Sequence, residues 1–121
     1  MASITGLHLQ YRLWIAEMNA DINVLRIFDD YLSEITEKNP DLNEVSNYKN
    51  QFTGLRKEMD DLRHEMHLNK MNLAALAKNP DPSITDIEVT INHKEISARY
   101  TAFRKKFDET KTALQKFAES F

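Results

Sequence analysis

Apolar residues recur along this chain in alternating three- and four-residue steps. From Val45 to Leu76 the series runs Val45, Tyr48, Phe52, Leu55, Met59, Leu62, Met66, Leu73 and Leu76, with Asn69 as its one polar member. Such a heptad predicts a long helix that buries a narrow seam against other helices. Upstream, Tyr11, Trp14, Met18, Leu25, Phe28, Leu32 and Ile35 form an equivalent seam. Asp21 falls where that seam wants an apolar group, and Ile22 beside it is expected to turn inward instead. Downstream, Val89, His93, Ile96, Tyr100, Phe103, Phe107, Thr110, Leu114, Phe117 and Phe121 give a third seam.

The breaks between seams are equally regular. Lys38-Asn39-Pro40-Asp41 recurs as Lys78-Asn79-Pro80-Asp81, a shared stop-and-start signal and not an internal repeat. Ser3 or Thr5 can cap the first helix, Asp41 with Glu44 makes a capping-box variant for the second, and Pro82-Ser83 and Thr85-x-x-Glu88 offer caps for the third. The predicted helices span about residues 4–38, 41–78 and 83–120. The β-branched run from Ile84 to Ile91 is the weakest helical stretch. Short connections fold such helices back on one another, so the expected fold is all-α: a single-domain, elongated antiparallel three-helix bundle with coiled-coil-like packing. Gly54, inside the second helix, costs about 1 kcal/mol relative to alanine. It is expected to make room for a bulky neighbour such as Phe28 or Phe107, the functional alternative being a ligand or a close helix approach.

The first helix carries a second apolar stripe: Leu9, Leu13, Ala16, Ala20, Val24, Ile27 and Tyr31. A helix apolar over so wide an arc is covered on two sides. The helix is also acidic, with Glu17, Asp21, Asp29, Asp30, Glu34 and Glu37 against Arg12 and Arg26.

With turns at the ends of a rod, positions on the first two helices are level where their numbers total about 78, and on the last two where they total about 161. Asn69 and His93 then share a layer, with His8 and Tyr11 near it. Unpaired buried polar groups cost several kcal/mol, so a mutual hydrogen bond is expected there. The layer reads as a register-setting pair, with a ligand or proton-transfer site, or a layer open to solvent, as alternatives.

Asp60, Asp61, His64, Glu65 and His67 cluster on the second helix, and Asp61-x-x-His64 resembles the acid-x-x-His element of carboxylate-bridged di-iron bundles. Those sites need the element on two helices plus further carboxylates, and the third helix has none. No metal and no cofactor is therefore assigned; a metal reading would use Asp61, His64, His67 and His93. Arg56 with Asp60, and Lys57 with Asp61, are expected to pair across an exposed face instead.

Composition narrows the function classes. Net charge is −3 without a basic block, which argues against a nucleic-acid backbone as partner. No apolar run approaches the roughly twenty residues of a membrane span, and Met1-Ala2-Ser3-Ile4 has neither the basic start nor the apolar core of a signal peptide. Cysteine is absent, which removes thiolate chemistry and fits a cytoplasmic location. Serines and threonines fall at caps or on polar faces, and no glycine-rich turn exists for an oxyanion or phosphate, so no enzymatic activity is expected.

Leu7-His8 followed by Trp14 and Glu17, then Asn50-Gln51-Phe52 and Leu62-Arg63-His64-Glu65, make the chain similar over nearly its whole length to a group of small uncharacterised bacterial proteins, cytoplasmic and all-helical. The resemblance implies no activity and singles out His8, Trp14, His64 and Glu65. The expected function is that of an interaction or scaffolding module using Leu9, Leu13, Val24 and Ile27, its partner a second copy or another helical protein. The alternative is a metal- or small-ligand-binding bundle of the carboxylate–histidine kind.

Overall fold

The computed structural model describes residues 4–80 and 86–120, with side chains at 89 and from 92 onward in the second stretch. Of the described residues 93% are helical and none is in a strand. The elements are α1 (Ile4–Lys38), α2 (Asn43–Lys78) and α3 (Asp86–Ala118), which pack as an all-α three-helix bundle. Each of the first two stops where proline forbids continuation. Asn39 N–H still donates to the Ile35 carbonyl at 2.7 Å and Asn79 N–H to Ala75 at 2.9 Å, and the ring nitrogen of Pro40 or Pro80 that follows has no hydrogen to extend the ladder. Lys38 and Lys78 sit in the last turns, where the helix dipole favours a cation.

The start of α2 differs from expectation. Its N-cap is Leu42, in an extended conformation and with no side-chain cap, so the Asp41–Glu44 box does not form. The turn is closed instead by Leu42 N–H donating to the Asn39 carbonyl, and Asp41 is left exposed. Ser3, Pro82-Ser83, Ile84, Thr85 and Phe121 lie outside the described residues, as does the side chain of Glu88.

One apolar core runs the length of the bundle. Met18, Leu32, Met59, Leu62 and Met66 are completely buried, and Tyr11, Leu55, Phe107 and Leu114 nearly so. Removing side chains of this size from water stabilises the fold by about 1.5–3 kcal/mol each. Leu7 and Ile15 belong to the core although the α1 seam omitted them, whereas Trp14 and Phe28 are only half-buried against it. The register is close to that expected: Tyr48 Oη donates to the Ala113 carbonyl at 3.2 Å, and Phe28 stacks on Phe52 at 5.2 Å. Gly54 accommodates nothing. It is exposed, and a methyl group there would meet no atom within 4 Å, so neither Phe28, Phe107 nor a close helix explains it.

α1 and α2 interlock closely, while α1 and α3, which run parallel, stand further apart. Long side chains bridge that wider gap, and the polar chemistry of the bundle collects there.

Candidate functional site

Three features are candidates: the α1–α3 seam, the cleft at one of its ends, and the outer face of α1. The seam is built by α1 residues one turn apart meeting α3 residues spaced likewise. Arg104 lies at its centre. Its Nη2 donates to Asp21 at 2.6 Å, contacts Glu17 at 2.6 Å and donates to Tyr100 Oη at 2.9 Å. Tyr100 Oη in turn donates to Glu17. The guanidinium also lies 5.4, 5.8 and 5.5 Å from the ring centres of Tyr100, Phe103 and Phe107, within cation–π range. Burial pulls the Arg104 pKa down, but the hydrogen bonds it donates to Asp21 and Tyr100 more than offset this, and the net shift is upward. Burial raises the Tyr100 pKa, and its bond to Glu17 adds to the effect. Asp21 is therefore the inward-facing residue of its turn, contrary to the expectation that Ile22 replaces it. Ile22 is half-buried beside it, and Asp21 is tolerated because α3 brings a cation to it.

Two turns along, Trp14 is sandwiched between α3 rings. It stacks on His93 at 5.7 Å with only 3° between planes, and on Tyr100 at 5.0 Å. His93 Nδ1 lies 3.2 Å from Tyr11 Oη. The hydroxyl donates to that nitrogen when the imidazole carries its proton on Nε2. The expected Asn69–His93 bond is thus replaced by Tyr11–His93, and both Asn69 and His93 are half-buried, not buried.

Burial lowers the His93 pKa below its ordinary 6.5 and raises that of Tyr11 to about 12. Between the folded and unfolded His93 values the unfolded chain binds more protons, so stability rises with pH. The His93 contribution is complete above about pH 6.5 and is lost as pH falls through the lowered value. Trp14 is the only tryptophan of the chain, so its fluorescence is expected to step below pH 6.5, and His93→Gln to abolish the step. A step that survives the substitution would belong to another group.

Beside this layer lies a cleft of about 500 Å³ between α1, α2 and α3. Among the described residues its lining holds no charged side chain; Asn69, Asn72, Asn79 and Asn92 supply carboxamides between Leu7, Leu73, Leu76 and Val89.

The remaining candidates lie outside the seam. Asp61, His64 and His67 are exposed on α2, and among the described residues no group of three or more His, Asp or Glu side chains, His93 included, is placed to hold a metal. The His67 pKa is lowered by burial and then by the positive charges of Lys70, Arg63 and His64. Asp60 pairs not with Arg56 but with Arg63, at 3.1 Å, and Arg63 also donates to Asn19 of α1 at 3.0 Å. Glu65 bonds Arg99 of α3. These pairs are largely solvated and contribute little to stability. His8 is half-buried on α1.

Among the described residues the outer face of α1 carries three of the five exposed large hydrophobic side chains. Leu9, Leu13 and Ile27 are 53%, 56% and 65% exposed. Ala16 and Ala20 between them are exposed, while Val24 and Tyr31 are half-buried and touch the core. The chain's own helices thus cover the second stripe only in part, at Val24 and Tyr31, and leave Leu9, Leu13, Ala16, Ala20 and Ile27 in water. Leu68 and Met71 on α2 are also exposed, but as a pair one turn apart.

No family model, curated protein or solved structure matches the chain. Its chemistry rests on its own geometry. No described helix is long and apolar enough to cross a membrane.

Proposed function

We propose that this chain is a non-enzymatic protein–protein interaction module whose docking face is the outer stripe of α1. The observation that supports the reading is the exposure of Leu9, Leu13 and Ile27, three large apolar side chains on one face of α1 that lie outside the bundle's core. A helix face turned to water ordinarily carries polar residues, and a contiguous apolar stripe there favours association. Steps of three and four residues suit a helical partner, which meets such a stripe through residues spaced likewise. The Arg104 cluster holds α1 against α3, so the face is presented already ordered and association spends little on fixing it.

Site-specific photocrosslinking in the native cell tests this. A benzophenone side chain at Leu13 is expected to capture a protein partner, and the same group at Asp61, exposed on α2, is not. Equal capture from both positions, or none from Leu13, would overturn the reading.

A further inference from the structure

We infer that the partner of the α1 face is a second copy of this chain, laid antiparallel with Ala20 on the two-fold axis; this rests on the reading of that face as a docking surface. The stripe Leu9, Leu13, Ala16, Ala20, Val24, Ile27, Tyr31 has intervals of four, three, four, four, three and four residues, the same in both directions. Reversed upon itself about Ala20, each member meets another: Leu9 faces Tyr31, Leu13 faces Ile27, Ala16 faces Val24, and Ala20 faces its own equivalent. The small residues fall at the centre, where two backbones must approach most closely, and the large ones toward the ends, where they close over the gap.

Charge selects the antiparallel arrangement over the parallel one, in which every member would face itself. The second half of α1 carries Asp29, Asp30, Glu34 and Glu37, and the first half, up to Ala16, carries Arg12 and no carboxylate. Parallel helices would set Asp30, Glu34 and Glu37, which flank the stripe, beside their copies. Antiparallel helices set them against the half that has none, with Asp30 between Arg26 one turn back on its own helix and Arg12 of the copy. Opposed helix dipoles act in the same sense. A two-fold contact of this kind uses one patch on both chains and closes on itself, so it ends at a dimer and does not propagate.

The absence of cysteine makes engineered thiols clean reporters. Under mild oxidation Ala20→Cys is expected to form a disulfide with its own copy. Leu13→Cys alone is not, because its equivalents lie about 21 Å apart along the axis at 1.5 Å per residue. Leu13→Cys mixed with Ile27→Cys is expected to cross-link. In sedimentation, the unaltered chain at high micromolar concentration is expected at twice its 14.1 kDa mass. Leu13→Glu, which spoils two symmetric contacts, should weaken association roughly a hundredfold or more while keeping its helical circular dichroism. Disulfides between Leu13→Cys copies would establish parallel pairing and overturn the inference. A monomeric unaltered chain whose Leu13 crosslinker captures a different protein would overturn self-pairing yet keep α1 as the docking face; a monomer with no capture would remove both.

Discussion

Arg104→Ala is expected to cost the bundle about 3 kcal/mol at neutral pH. Breaking a buried ion pair from one side leaves a charge without compensation, which in a dry interior costs about 3–5 kcal/mol. The side chains of Asp21 and Arg104 keep 11% and 24% exposure, which places the loss at the lower end of that range. Glu17, half in water, adds little. Arg104→Lys is not expected to recover much of the loss, since a point charge on a flexible stem cannot both donate in the fork geometry and lie flat among Tyr100, Phe103 and Phe107. Replacing Asp21 and Arg104 together by leucine, in contrast, is expected to leave stability within about 1 kcal/mol of the parent or to raise it, because both desolvation costs vanish. Urea unfolding of the single and double variants checks this. An Arg104→Ala loss below about 1 kcal/mol would show that water already solvates Asp21.

The second large effect separates two leucines of one helix. Leu25, 4% exposed in the core, is expected to cost about 3 kcal/mol when cut to alanine, by lost burial and the cavity left behind. Leu13→Ala, on the outer face, is expected to change the stability of dilute protein by no more than about 0.5 kcal/mol. If Leu13→Ala in dilute protein destabilises as much as Leu25→Ala, the outer stripe belongs to the fold and is not available for docking. At concentrations where copies associate, the Leu13 variant should fall behind the parent by a margin that grows with concentration.

Much of this architecture is legible in the residues alone. The helix count, the fold class and the lower edges of both Lys-Asn-Pro-Asp breaks follow from periodicity and from proline's missing donor. The α2 start is less legible, because Asp41 has the right chemistry for a cap and Leu42 does not, and the backbone turn through Asn39 decides the matter. Asp21 is hard to place from the sequence for a different reason. Spacing marks it as inward, but whether a carboxylate can stay there depends on what the third helix brings to the same level. The expected registers put Asp21 level with Arg104, eighty-three residues on, and the pair is found at that separation. The level of the cluster is therefore legible in the numbering once α1 and α3 are set side by side. The Asn69–His93 bond failed on direction: two residues can share a level and still point to different neighbours, and His93 points to Tyr11 and Trp14. Gly54 has no structural account.

The two seams of α1 differ in build, and so they answer to different solvents. Against α2 the contact is interlocked hydrocarbon, which concentrated salt leaves intact or tightens. Against α3 it leans on a guanidinium shared among carboxylates, part of it within reach of counterions. Rising ionic strength therefore reaches one wall of the molecule and not the other: counterions compete for the half-exposed Glu17 edge of that contact, while α3 stays seated through Phe103, Phe107 and Leu114 in the shared core.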